Sequence, residues 1–318
     1  MNNEKELSDL LYFIHKGFDE YIKPFDGKGY IECFHYTSPE GFKNIIETNK
    51  LRFCDAKYLN DASEGQYLYN LIEERITNPL KKYNHRFVSL IKKYILNQDV
   101  NIENDNEQDN APFELPSHYF VCCFSCNHDS LSLWNYYTKT INSIGYNLGF
   151  QTDLLSETFA KHWEQVKCYK VVYDKKAQED YIDSILGIGL SNKWESDNED
   201  FVRKDLIFYL QVIFNKMKYI FKNSAFKDEN EIRFLIEMSE QDFQKNLIKK
   251  GDDEIKFYNK NGVMVPYLES SFDKSLLIHV GVSPTIKNNN IDQSIKLFAQ
   301  KNGYNKITVN RSNIPLQF

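Results

Sequence analysis

The chain has 318 residues, of which 42% are hydrophobic and 26% are charged, so it is long and apolar enough to bury a sizeable core. With only 13 Gly and 8 Pro, the composition argues against a disordered or low-complexity protein. The net charge of −6 gives no general attraction to nucleic acid, which is therefore not an indicated partner.

The charged first residues and the lack of a membrane-spanning apolar run predict a cytoplasmic protein with no membrane partner. Its six cysteines are then expected to be reduced. Cys123 and Cys126 have CxxC spacing, with His118 and His128 nearby, which is one feature of metal sites. Because no second CxxC exists and Cys123 lies in an apolar run, we interpret them as small buried thiols and expect no metal.

Hydrophobic periodicity predicts helices and strands intermixed along the whole chain. The predicted helices are 6–22, a segment starting at Pro39, 61–96 with a break near Pro79, a short helix through Tyr137, 177–190, 198–224 and 291–302. The predicted strands are 31–36, 51–53, 118–125, 146–150, 168–173, 232–237, 255–258, 263–269, 276–282 and 306–309. Because there is no βαβ regularity, the expected fold class is α+β with a mixed or antiparallel sheet.

The expected organisation is an amino-terminal helical extension over residues 1–30, followed by a single α+β domain over 31–318. Residues 97–116 are acidic and almost free of large apolar side chains, which predicts a mobile insertion. A plain insertion is the default, and a lid over a site is the alternative. Residues 177–224 are predicted to form a helical insertion.

Three polar clusters interrupt segments that otherwise have the pattern of buried strands: Phe34–Ser38, Phe124–Tyr137 and Asp228–Arg233. A buried polar group must find a partner, so the clusters are either a mutually satisfied network or the lining of a site. His35 and Tyr36 are adjacent, and strand residues alternate between faces. Both can therefore line one cleft only if the strand ends between them, and His35 alone is more often a satisfied core histidine.

Glu229 and Glu231 lie two residues apart at the start of a predicted strand, so both carboxylates are expected to share a face with Arg233. This row is either a surface charge ladder or a pair that faces a developing cation and a nucleophile. Trp134 is expected to pack in the core, whereas a neighbouring tyrosine could stack on a planar ligand.

Several segments resemble a large bacterial family of unknown function, DUF2971, in the same order over residues 34–316. The segments are Phe34–Ser38, Tyr58–Glu64, Phe124–Tyr137, Glu229–Arg233, Val280–Pro284 and Arg311–Pro315. That family label assigns no activity.

The chain is also similar, more distantly, to the ADP-ribosyltransferase superfamily. The similarity lies in a strand ending in His35–Thr37, a middle strand bearing Ser125, and a late strand opening with Glu229-x-Glu231. It implies a split sheet with surrounding helices and NAD as the substrate. Ser125 is not followed by the Ser/Thr pattern of arginine-specific enzymes, which leaves the acceptor open.

The resemblance also implies roles by matching position. His35 would hold the nicotinamide-side ribose, Tyr36 or Tyr137 would stack on nicotinamide, Glu231 would favour an oxocarbenium-like transition state, and Glu229 would lie nearest the acceptor. The implied cofactor-binding residues are His35, Tyr36, Thr37, Ser125, Tyr137 and Arg233.

The leading hypothesis is therefore an NAD-dependent ADP-ribosyltransferase or NAD-cleaving enzyme, acting as a toxin-like effector in bacterial conflict or phage defence. Its expected partners are NAD or another nucleotide and a macromolecular acceptor. The alternative is a non-catalytic nucleotide- or protein-binding domain on the same scaffold, in which the three clusters are structural. A metal-dependent hydrolase is poorly supported, because no His, Asp and Glu spacing resembles a ligand set.

Overall fold

The computed structural model describes residues 31–59, 66–98, 118–137, 144–164, 166–187, 200–251 and 253–315. Within them, strands β1 to β10 span Glu32–Thr37, Lys50–Asp55, His118–Ser125, Tyr146–Gln151, Lys167–Lys170, Glu231–Met238, Lys256–Lys260, Val263–Ser271, Leu277–Val282 and Thr308–Arg311. Helices α1 to α9 span Pro39–Thr48, Gln66–Ile76, His85–Leu90, Leu131–Tyr137, Thr152–His162, Lys175–Leu186, Asp200–Met217, Glu240–Ile248 and Ile291–Lys301. The expected helix over 6–22, the start of the helix predicted over 61–96 and nearly all of the acidic segment 97–116 lie outside the described residues.

The chain divides into two compact units. One comprises residues 25–58, 118–170 and 225–318 and carries the described strands. The other comprises residues 1–24, 59–117 and 171–224, and its described part is mainly helical. In that unit α2 packs against α6, and Arg75 forms an ion pair with Asp183 between these two helices.

The sheet splits at β3, which has a partner on each edge. Strand β6 pairs with one edge along the whole length of β3, from His118 to Ser125. The other edge is shared, because β1 pairs with it only at Ser125 and β2 only at Phe120 and Val121. The strand order continues from β1 through β4 and β9 to β10, and from β2 through β8 to β7. Among the pairs formed by β1 to β10, only β9–β10 is parallel, so the predicted mixed α+β architecture is confirmed.

Strand alternation divides the side chains between the two faces of this sheet. One face carries the main apolar core, in which Phe124, Phe159 and Phe234 meet edge to face. The opposite face carries a smaller cluster, in which Phe34 and Tyr36 of β1 pack against Leu133 and Trp134 of α4. The prediction that Trp134 packs in the core is confirmed, because only 1% of its surface is exposed.

The first helix begins where the sequence predicts. The Ser38 hydroxyl accepts a hydrogen bond from Gly41 N, and Pro39 occupies the first turn. The helix predicted to end near 224 ends at Met217 instead, because the following segment pairs with another part of its unit through Phe221 and Val172.

Gly281→Ala is expected to destabilise the strand-bearing unit by about 1–3 kcal/mol. A Cβ at Gly281 would lie 2.1 Å from Oδ1 of Asn147, a buried side chain whose amide donates to His128 O. Urea denaturation measures the loss. Gly187→Ala is the matched control, because a Cβ there meets nothing within 4 Å. Equal stability of both variants would contradict the expectation.

Candidate functional site

Five of the predicted site residues line one small cavity: His35, Tyr36, Ser125, Tyr137 and Glu231. The expected convergence of the first strand, the middle strand and the late strand on one cleft is therefore confirmed as geometry. The cavity has a volume of about 60 Å³. Ligand sites for drug-sized molecules are typically about 300–1,000 Å³, so a nucleotide enters this one only if a wall moves.

His35 lies in the gap where β1 and β2 diverge along β3. Its Nδ1 donates to the carbonyl oxygen of Cys123 at 2.9 Å, because a carbonyl can only accept. Nε2 is then the acceptor of the neutral ring, and burial lowers the pKa of His35, which favours this neutral form. The expectation that the strand must end between His35 and Tyr36 is wrong: β1 runs on to Thr37, and both side chains reach the cavity because the sheet splits beside them.

Stability is expected to fall as the pH drops below about 6.5, the ordinary pKa of histidine. Because the folded state depresses the pKa of His35, the unfolded chain binds the proton first, and stability is lost until the pH reaches the folded-state value. His35→Gln keeps a donor for the Cys123 carbonyl and should flatten this slope by up to about 1.4 kcal/mol per pH unit. Urea denaturation between pH 7 and 5 measures the slopes, with the exposed His85→Gln as control. An unchanged slope in His35→Gln would refute the assignment.

Glu231 and Arg233 form an ion pair on β6, with 3% and 2% of their side chains exposed. Arg233 donates to Oε2 of Glu231 from Nη2 at 2.7 Å and from Nε at 3.2 Å. The prediction that these two side chains share a strand face is confirmed. Arg233 was expected to bind the cofactor, but its observed contact is with Glu231, which itself lines the cavity.

Glu229 is not part of the strand, contrary to expectation. It ends a 3₁₀ turn, Ser224–Glu229, and Asn230 has a φ of 43°, so the chain turns before β6 begins at Glu231. The shared-face argument from strand alternation therefore fails for Glu229. Its carboxylate still acts on Tyr137: burial raises the pKa of that phenol well above 10, and the charges of Glu231 and Glu229 raise it further. The Tyr137 hydroxyl is consequently protonated at neutral pH.

Two side chains that were predicted to contact a ligand, Ser125 and Tyr36, form hydrogen bonds within the protein instead. The Ser125 hydroxyl donates to Glu229 O at 2.6 Å and accepts from Asn127 N at 2.9 Å. The Tyr36 hydroxyl donates to Asn127 O at 2.8 Å and accepts from Ser130 N at 3.3 Å. Both hydroxyls hold the loop 126–130, and the Tyr36 ring packs edge-on against Trp134. Of the two tyrosines expected to stack on nicotinamide, Tyr137 is therefore the more available.

Asp129 also holds this loop, although the sequence did not single it out as a site residue. Its Oδ1 accepts from Trp134 Nε1 at 2.8 Å and from Ser312 Oγ at 2.6 Å. Its Oδ2 accepts from Asn313 N at 2.9 Å, so the carboxylate joins α4 to the segment after β10. Thr37 also has a local role, because its hydroxyl lies against Gly41 in the first turn of α1.

Two larger, open cavities flank the loop 126–130. The imidazole-lined cavity measures about 650 Å³ and is lined by residues that include Ile31, Glu32, Phe34, His128, His279 and Asn310. The acidic cavity measures about 630 Å³ and is lined by residues that include Asp129, Ser130, Leu131, Asn135, Tyr136 and Asp228. Phe34 also lines the small cavity, so the imidazole-lined cavity lies beside it.

The six cysteines all lie in described segments, form no disulfide and occupy two environments. Cys33, Cys122 and Cys168 are buried, whereas Cys54, Cys123 and Cys126 are half-buried, so the interpretation of Cys123 and Cys126 as buried thiols is wrong. In the part of the chain that the structure describes, no three His, Cys, Asp or Glu side chains are grouped closely enough to hold a metal ion. No helix among the described residues is long and apolar enough to cross a membrane.

Residues 133–234 match the model of a family described as Protein of unknown function (DUF2971). The match supports the family resemblance seen in the sequence. It covers most of α4 and the start of β6, and hence Tyr137, Glu231 and Arg233, but not His35 or Ser125. No curated protein and no solved structure matches the chain. The resemblance to ADP-ribosyltransferases stays a prediction.

Proposed function

We propose that this chain is an ADP-ribosyltransferase-like enzyme that cleaves NAD between nicotinamide and ribose. The observation that supports it is the meeting of His35, Tyr137 and Glu231 at one cavity in the split of the sheet. These are a neutral imidazole, an aromatic wall and a carboxylate, which is the set of groups that such a cleavage uses.

Each group has a distinct task in the proposed reaction. The bond that breaks joins the ribose C1′ to the nicotinamide nitrogen, and positive charge develops on the ribose as neutral nicotinamide leaves. Glu231, with its carboxylate fixed by Arg233, would stabilise that charge electrostatically. Nε2 of His35 would accept a hydrogen bond from a ribose hydroxyl. Water or an acceptor nucleophile then adds to C1′ and loses a proton.

The residues fit this chemistry, whereas the cavity volume requires a movement. At about 60 Å³ the cavity is too small for a nicotinamide ring with its ribose. Tyr137 is half-buried at the carboxyl end of α4 and is the wall best situated to move. A substrate would therefore enter as this ring turns outward and stack against it afterwards.

A non-catalytic nucleotide- or protein-binding domain is the second candidate. It is favoured by the satisfied hydroxyls of Ser125 and Tyr36 and by the buried pair of Glu231 and Arg233, which are also the features of a structural network. On this view the three polar clusters hold the loop 126–130, and the cavity performs no reaction.

Consumption of NAD by the purified protein separates the two candidates. The protein is incubated with NAD, with and without cell lysate as a source of acceptor, and released nicotinamide is quantified by chromatography. Release without lysate supports NAD hydrolysis, and release only with lysate supports transfer to a macromolecule. No release under either condition rejects the enzyme and leaves the binding domain.

The toxin-like role belongs to the same proposal and has its own test. The wild type and Glu231→Gln are expressed from an inducible promoter in bacteria, and cellular NAD and growth are followed. Growth arrest with NAD loss in the wild type alone supports the effector role. Equal growth at equal protein level rejects it.

A further inference from the structure

We infer that the free edge of strand β7 binds an extended segment of another protein, in which carboxylates and aliphatic side chains alternate. Among the described strands, β7 is the last in the order of the sheet and pairs only with β8. A strand in this position offers main-chain donors and acceptors to an added strand. The inference is independent of the proposed cleavage of NAD, because no residue of β7 lines the cavities described above.

The main-chain groups that β7 directs away from the sheet can be assigned from its pairing with β8. In an antiparallel pair, residues that exchange two hydrogen bonds alternate with residues that exchange none. Phe257 lies opposite Pro266, which has no N–H, so this pair is of the second kind. The same holds for Asn259 and Met264, two residues further along. The N–H and C=O groups of Phe257 and Asn259 therefore point outward, and both residues are exposed.

The turn between β7 and β8 holds this edge in an extended conformation. Asn261 and Gly262 form the two-residue connection, and both have positive φ, at 53° and 87°. Such a backbone suits the twist of a tight hairpin. The Asn259 side chain also accepts a hydrogen bond from Gly262 N at 2.9 Å. The edge is therefore ordered before a partner arrives, which reduces the entropic cost of binding.

One face of the sheet at this edge is basic. Strands β2, β7 and β8 direct four cations and one carboxylate to it, an excess of three positive charges: Lys50, Arg52, Lys256, Lys260 and Glu269. The Arg52 guanidinium lies 5.8 Å from the centre of the Tyr258 ring, so its charge reaches the edge strand. Carboxylates of a partner are therefore attracted to this side of the edge.

The opposite face of the same edge is apolar. Phe257 and Met264 point to it from β7 and β8, with 45% and 55% of their surfaces exposed. They are diagonal neighbours, because Phe257 pairs with Pro266 and Met264 pairs with Asn259. An added strand places successive side chains on opposite faces. Its carboxylates would then meet the basic face, and its aliphatic side chains would meet Phe257 and Met264.

A second copy of this chain is the competing occupant, and its charges disfavour it. Antiparallel pairing of two β7 strands about Tyr258 would place Lys256 opposite Lys260 of the other copy. Like charges directly opposite each other on one face destabilise such a pair. The two lysines therefore oppose self-association of this edge and favour an acidic partner.

Fluorescence anisotropy of a labelled heptapeptide in which glutamate and valine alternate tests the inference on the full chain. Saturable binding is expected, whereas a peptide with lysine in place of glutamate should not bind. A glutamate peptide with every main-chain nitrogen methylated should bind about tenfold more weakly, because it cannot donate to the edge. Hydrogen exchange at residue resolution should show that the bound peptide slows the amides of Phe257 and Asn259 and leaves that of Tyr258 unchanged.

Two variants separate the main-chain contribution from the charge contribution. Phe257→Pro removes one outward N–H and no bond to β8, an orientation in which edge strands tolerate proline, and it should weaken binding about tenfold. Lys260→Gln should weaken binding about threefold, as expected for one exposed ion pair. Lys296→Gln is the matched control, because this exposed lysine lies on α9, which contacts β10 at the other end of the strand order.

Three results would overturn the inference. The first is no saturable binding of the glutamate peptide, or equal binding of its methylated form. The second is unchanged exchange at Phe257 and Asn259 with the peptide bound. The third is binding of labelled oligothymidine in place of the peptide, which would assign the basic face to nucleic acid. None of these measurements requires turnover of NAD, so the proposed function can fail while this inference stands.

Discussion

Glu231→Gln will lower the rate of NAD cleavage by about 10²–10³-fold, the usual cost of removing one preorganised group that stabilises transition-state charge. The substitution keeps the shape of the side chain and still offers an oxygen to Arg233, but it removes the negative charge beside the cavity. The expected loss is in kcat, because the charge is needed when the ribose becomes cationic and not when NAD binds. Initial rates of nicotinamide release at saturating and limiting NAD separate kcat from KM.

Glu237→Gln is the matched control for this prediction. Glu237 lies on the same strand and, by alternation, on the same face as Glu231, but it does not line the cavity. Its variant should keep the wild-type rate. Circular dichroism confirms that both variants are folded before rates are compared. Wild-type turnover in Glu231→Gln would remove the carboxylate from the mechanism and leave a structural ion pair.

Arg233→Met will lower the free energy of unfolding by about 3–5 kcal/mol, because a buried carboxylate is left without the guanidinium that neutralises it. A methionine fills much of the volume of the arginine stem, so the loss comes mainly from charge and not from a cavity. Urea denaturation at pH 7 measures the loss. The variant should recover stability as the pH falls and Glu231 takes up a proton.

The double variant Glu231→Leu with Arg233→Met should regain most of the lost stability, since replacing both members of a buried ion pair by apolar residues is often close to neutral. It should nevertheless fail to cleave NAD, because the carboxylate is absent. A folded but inactive double variant thus distinguishes chemistry from stability. A double variant less stable than Arg233→Met alone would show that the two side chains do not act as a pair.

The elements of the sheet follow from the sequence because their signals are local. A run of alternating or continuous apolar residues marks each strand, and Ser38 before Pro39 marks the start of α1. Helices α5 and α8 were not predicted. Helix α8 has no buried residue, so its sequence lacks the apolar stripe by which a packed helix is recognised. The local signal that it does have is Ser239, whose side chain accepts a hydrogen bond from Asp242 N at the start of the helix.

The details of the site depend on contacts between residues far apart in the chain. The left-handed conformation of Asn230 moves Glu229 off the strand. Asparagine tolerates this conformation, but its presence in the sequence does not predict it. The sharing of one edge of β3 by β1 and β2 is likewise set by packing. It explains why adjacent residues His35 and Tyr36 reach one cavity, which strand alternation alone forbids.

The hydrogen bond from His35 to the Cys123 carbonyl affects how genetic data on this protein should be interpreted. At that point in the sheet an imidazole satisfies a main-chain acceptor on the edge that β1 and β2 share. A screen for loss of activity would recover substitutions of His35 whether or not the ring ever touches a substrate, since many replacements would remove the hydrogen bond to that carbonyl. Loss of activity in a His35 variant is therefore to be interpreted first as a defect in the structure of the sheet. Only replacements that restore a donor, such as glutamine, can reveal a separate part in chemistry.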